Sequence, residues 1–160
     1  MGHGTISTNQ KVLSYLIDRL GSRIGGRKKM MTLMFLIEHY DPDLRKLTEK
    51  QFLGNEFITS RYGVFSFDVM DDYLDLSRKN IVQDYPITLL QNVSFDLSDE
   101  ITSRINWIID QFGDRNGSYL ESYTLDLLCL DKRTKMQYFG QSVKLQIRAN
   151  TWEEAASTTC

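Results

Sequence analysis

The chain has 160 residues, room for one domain or a domain with a short appendage, and its 41% apolar and 11% aromatic content excludes wholesale disorder. Nineteen basic residues stand against twenty-one acidic ones, a formal net charge of -2. That balance excludes a protein that holds nucleic acid by overall charge and leaves room only for a local basic patch. Two cysteines, Cys129 and Cys160, are too few for a disulfide scaffold or a thiolate zinc site. Cys129 reads as a small core residue, Cys160 as an exposed thiol, and the usage fits a reducing compartment. With no apolar leader in the polar N-terminus and no apolar run near the ~20 residues of a membrane span, the reading is a soluble, cytoplasmic protein.

The chain divides into a flexible N-terminus over 1–9, a single globular domain over 10–148 and a flexible polar tail over 149–160. The first element is an amphipathic helix: Val12, Leu13, Leu16, Ile17 and Leu20 recur at helical spacing, with Thr8 or Asn9 as cap and Gly21 as stop. After the turn Ser22–Gly26 comes a helix from about Arg27 to Tyr40. It is apolar around most of its circumference and is therefore expected at the centre of the fold. Asp41-Pro42 ends it.

Residues 43–54 read as a loop with a helical turn, and Glu56–Phe65, rich in β-branched and aromatic residues, as an extended segment. Gly63 marks a turn, and Ser66 or Asp68 caps a third helix carrying Val69, Met70, Tyr73, Leu74 and Leu76. Tyr85-Pro86 breaks the chain, and residues 87–97 fit neither period. Ser98, Asp99 and Glu100 form the cap and acidic first turn of a further helix, and Ser118–Leu130 can form one more. Val143, Leu145 and Ile147 alternate with polar residues and predict a terminal strand. The expected fold is mainly α (α+β): a compact domain of about five helices with a few short strands and a winged-helix-like start.

Three constellations could carry function. Arg19, Arg23, Arg27, Lys28 and Lys29 crowd the turn between the first two helices. A helix N-terminus with cations beside it suits a phosphate or an acidic partner, although solvated charges flanking a buried helix would look the same. The second helix is too apolar to lie in a DNA groove. Asp68, Asp71, Asp72 and Asp75 form a stripe on the third helix, opposite its apolar set. Carboxylates so spaced are weak candidates for a magnesium site, but a water-facing stripe is the plainer reading. His39 closes the second helix, where a partly buried imidazole is common. No phosphate loop, paired-cysteine motif or zinc-binding histidine motif is present, so the residues call for no cofactor and no catalytic group.

The segments Gly26-Arg-Lys-Lys-Met-Met-Thr-Leu-Met-Phe-Leu-Ile-Glu-His-Tyr40 and Phe57-Ile-Thr-Ser-Arg-Tyr-Gly-Val-Phe-Ser-Phe-Asp-Val-Met-Asp-Asp-Tyr-Leu74 resemble the Panacea superfamily, which includes SocA-like and YwgA-like proteins. Arg27 and Lys29 match its basic helix start, Tyr62, Gly63 and Ser66 its turn, and Ile81 and Val82 its helix close. Val64, Met31, Thr32 and Asn80 depart from the usual residues. The resemblance spans about residues 10–130. It implies a mostly helical, non-enzymatic domain, antitoxin-like or adaptor-like, that binds a toxin or client protein, and a virus, plasmid or prophage as source. In the residues themselves, Tyr62 and Phe65 would anchor the turn in the core, Gly63 would permit it, and Ser66 would cap the next helix. The alternatives are a nucleic-acid-binding regulator using residues 19–29 and, third, a metal-dependent nuclease. Self-association is neither required nor excluded.

Overall fold

A buried helix organises the molecule. The computed structural model describes residues 6–131 and 133–156, with side chains described to residue 150. Helix α2 (Arg27–His39) has every residue from Lys29 to His39 buried, as its all-round apolar sequence dictates. Around it stand α1 (Thr8–Leu20), α3 (Phe67–Arg78), α4 (Asp99–Phe112), α5 (Gly117–Leu127) and α6 (Val143–Ala156). Helices α4 and α5 pack directly on α2, and α1 packs on α3 and α4. The fold is mainly α with short strands, and no helix among the described residues is long and apolar enough to cross a membrane.

Among the described residues six short strands pair as three antiparallel hairpins: β1 (Tyr40–Asp41) with β2 (Lys46–Leu47), β3 (Ile58–Ser60) with β4 (Gly63–Phe65), and β5 (Val82–Asp84) with β6 (Ile87–Leu89). The first replaces the helical turn expected over 43–54. Asp41 Oδ1 accepts from the amides of Asp43 and Leu44 at 2.9 and 3.0 Å, folding the chain back on itself. The third resolves residues 87–89, with Tyr85-Pro86 as a cis peptide in its turn.

The helix starts follow side-chain chemistry. Ser7, rather than Thr8 or Asn9, caps α1 in a reciprocal box with Gln10. Ser66, Ser98 and Asn116 cap α3, α4 and α5. Helix α2 alone among these five starts at a glycine, Gly26, which offers no side-chain acceptor.

The expected terminal strand is instead α6, and it runs across the boundary expected at 148. Val143 and Ile147, one helical turn apart, are buried, while Leu145 between them is exposed. An alternation of three residues contains an i,i+4 pair, and here the helical face is the one that packs. Cys129, read as a core residue, is half-buried in a left-handed backbone conformation just past α5. Cys160 lies outside the described residues.

Candidate functional site

The basic turn does not present five free cations. Arg23 Nη1 meets Asp114 Oδ1 at 3.0 Å. Arg27 forks onto both Asp84 oxygens, at 3.1 and 2.7 Å, with its guanidinium 5.3 Å from the Tyr73 ring centre. The buried Tyr73 hydroxyl donates to the same Asp84. Arg27 foremost, with Tyr73, holds the Asp84 carboxyl below its ordinary range. Burial and that hydrogen bond push the Tyr73 phenol up. Lys28 Nζ reaches Glu121 Oε1 at 2.6 Å, and Lys135 Nζ reaches Glu121 Oε2 at 2.6 Å. Burial, at 3% exposure, pushes the Glu121 carboxyl up, but Lys135 and Lys28 more than offset it and the group sits below its ordinary range.

Lys29 is only 6% exposed and donates to the Gly113 carbonyl at 2.6 Å. Burial, reinforced by Arg23, lowers its ammonium pKa. Arg19 is exposed, and its carbonyl accepts from Arg23. A further cation, unforeseen, is Arg115, its guanidinium 4.7 Å from the Tyr119 ring centre and without a carboxylate against it among the described residues.

These groups surround three adjoining hollows that share Gly25. One, of about 510 Å³, lies between Arg27 and the β5–β6 turn with Tyr85, Pro86 and Ile87. A second, of about 370 Å³, continues past Ile24 to Ile17 and Leu89. The third, of about 360 Å³, runs the other way, past Lys28 and Lys29 to Arg115 and the start of α5.

The aspartate stripe has a different fate at each position. Asp68 accepts from the Glu56 amide at 2.8 Å, Asp75 accepts from Gln10 at 2.7 Å and pairs with Lys79 at 2.9 Å, and Asp71 is exposed. No group of three His, Cys, Asp or Glu side chains among the described residues could hold a metal ion, the stripe included. Asp72 is half-buried rather than water-facing. Burial, then the neighbouring Asp68, Asp71 and Asp75 charges, push its carboxyl up to about 6. A folded pKa above the unfolded value means that Asp72 favours the fold at low pH and loses that contribution as pH rises from about 4 to about 6. Asp72→Asn is therefore expected to raise stability at pH 7 by about 1 kcal/mol, after discounting for partial solvent screening, and to be neutral at pH 4. Equal effects at both pH values in urea melts would refute the assignment.

The turn motif divides in the same way. Gly63 is buried at φ 104°, and Ser66 Oγ accepts from the Val69 amide at 3.2 Å. Phe65 is half-buried against Phe67, with ring centres 5.0 Å apart. Tyr62 does not anchor the core: it is 65% exposed, because the tight Ser60–Gly63 turn carries it outward. His39 is fully buried, not partly. Its Nδ1–H donates to the Thr48 carbonyl at 2.9 Å, Nε2 has no partner among the described residues, and burial lowers its pKa.

Comparison with family models, curated proteins and solved structures returns no match. The site must therefore be argued from its own geometry. Sequence reading found the cations and missed their partners, because Asp84 lies 57 positions from Arg27 and Asp114 lies 91 from Arg23. The acid-free first turn of α2 was the available signal: three cations at the positive end of a helix dipole need carboxylates from elsewhere.

Proposed function

We propose that this chain is a non-enzymatic module that works by binding another protein, antitoxin-like or adaptor-like. One observation carries the reading: large aromatic side chains stand in solvent while Arg23, Arg27, Lys28 and Lys29 of the basic turn are paired within the fold. Tyr85 is 95% exposed at the β5–β6 turn, Tyr62 is exposed at the β3–β4 turn and Phe67 at the start of α3. Phe139 is also exposed, next to a Gly140 amide that donates to the Thr59 carbonyl at 2.8 Å. Exposed aromatics on a rigid frame are the usual anchors of protein interfaces. The resemblance to the Panacea superfamily points the same way.

Against the nucleic-acid alternative stands the use of Arg23, Arg27, Lys28 and Lys29 as internal partners. A protein that reads phosphates needs several cations free to release counterions. Arg27, forked onto Asp84, and the buried Lys29 are also poor probes of that alternative, because removing either one breaks a contact within the fold. Arg19 and Arg115 are exposed and are the proper sites for charge deletion.

Affinity capture of the tagged chain from its native host, with and without nuclease, tests the reading by mass spectrometry. A stoichiometric protein that survives nuclease is expected. Companions that vanish with nuclease, together with salt-steep binding weakened by Arg19→Ala and Arg115→Ala, would overturn it in favour of nucleic acid.

A further inference from the structure

We infer that the groove over Gly25 and Gly26 receives an extended acidic segment of the partner protein. The inference rests on the protein-binding reading and adds the place and the chemistry. The two hollows beside the β5–β6 hairpin are walled by Ile17, Ile24, Pro86, Ile87 and Leu89, with Tyr85 beside them, and they also carry Asp18 and the Arg27–Asp84 ion pair. The third hollow is lined by four cations, Arg23, Lys28, Lys29 and Arg115; Asp114 pairs with Arg23 and Glu121 with Lys28, which leaves an excess of positive charge centred on Arg115 and Lys29. In a chain of net charge -2 that is a positive end on a channel whose other walls are mainly apolar.

Charge complementarity then names the occupant: a carboxylate toward Arg115, and an aliphatic side chain toward Pro86 and Ile87. A nucleic-acid strand fits less well, because its phosphates repeat along its whole length while the unpaired cation, Arg115, stands at one end and Asp18 and Asp84 line the other. The floor is open, since a Cβ on Gly25 or Gly26 would meet nothing within 4 Å. Helix α2 also starts there with no side-chain cap of its own, so a carboxylate from outside would find the positive end of the helix as well as the cations.

The test is selection of a phage-displayed random peptide library on the immobilised protein, followed by fluorescence anisotropy with the selected peptides. Gly26 has an extended backbone and free space, so Gly26→Asp supplies α2 with its own capping carboxylate and keeps the fold. Arg115→Glu reverses the unpaired cation, and Lys50→Glu is a remote exposed control. The expected peptides carry Asp or Glu close to an aliphatic residue. Gly26→Asp and Arg115→Glu should each weaken them about tenfold or more, while Lys50→Glu changes binding by less than about twofold.

Selection of no peptide, of peptides without acidic residues, or of peptides blind to both variants overturns the proposal. Displacement of the peptides by inorganic phosphate or an oligonucleotide at comparable concentration reassigns the groove to phosphate and overturns it too. A nuclease-resistant partner that binds Arg115→Glu as well as the unmodified chain sinks the groove and leaves the protein-binding reading standing. Absence of any such partner sinks that reading itself.

Discussion

Glu38→Ala is expected to destabilise the protein by about 4 kcal/mol, because one buried carboxylate closes a whole loop. Glu38 is 1% exposed on the last turn of α2. Its Oε2 accepts from the amides of Leu53 at 2.6 Å and Gly54 at 3.0 Å, and its Oε1 from that of Asn55 at 3.0 Å. Alanine strands all three donors, and each buried orphan costs about 1–3 kcal/mol, with Gly54 recovering part of its share from water. Glu38→Gln separates charge from acceptor geometry. One amide oxygen still serves Leu53 and Gly54, while the new NH2 faces the Asn55 amide, so a cost near 2 kcal/mol is expected. Thermal unfolding should show a fall of roughly 12 °C for alanine and about half that for glutamine. Equal, small shifts for both would show that water takes over these amides.

Gly63→Val is expected to cost about 3 kcal/mol, and Gly63→Ala about 2 kcal/mol. At φ 104° an L side chain is strained whatever the space around it, and a β-branched one most of all. Space is also lacking: a Cβ would stand 3.1 Å from Glu121 Cγ. Any shift of Glu121 is felt at Lys28 and Lys135, which share its two oxygens. The neighbouring Tyr62→Ala, on an exposed side chain, is the control, and a change within about 0.5 kcal/mol is expected there. A Gly63→Ala protein as stable as the parent would show that the turn relaxes.

Much of the scaffold was legible in the sequence. The apolar spacing of α1, the all-round apolar α2 and the cap at Ser98 follow from short-range periodicity and capping chemistry, which act within a few residues. The hairpins β1–β2 and β5–β6 were not legible, because their strands are two or three residues long and no alternation can show at that length. The basic turn was visible as a cluster, but whether its cations are free depends on Asp84, Asp114 and Glu121, which reach it only through the fold. Arg104 was invisible for the same reason. From α4 it donates to the carbonyls of Ile37 and Tyr40, each at 2.6 Å, and so caps the end of α2.

The dependence of α2 on distant anions constrains how the chain can be made. The central helix emerges early in synthesis, yet Lys29 is satisfied by the carbonyl of Gly113, Arg23 by Asp114 and Lys28 by Glu121. A nascent chain that stops short of those residues holds an apolar helix with three cations at its positive end and nothing to neutralise them. The full set of contacts around the start of α2 can therefore close only once residues up to Glu121 have left the ribosome.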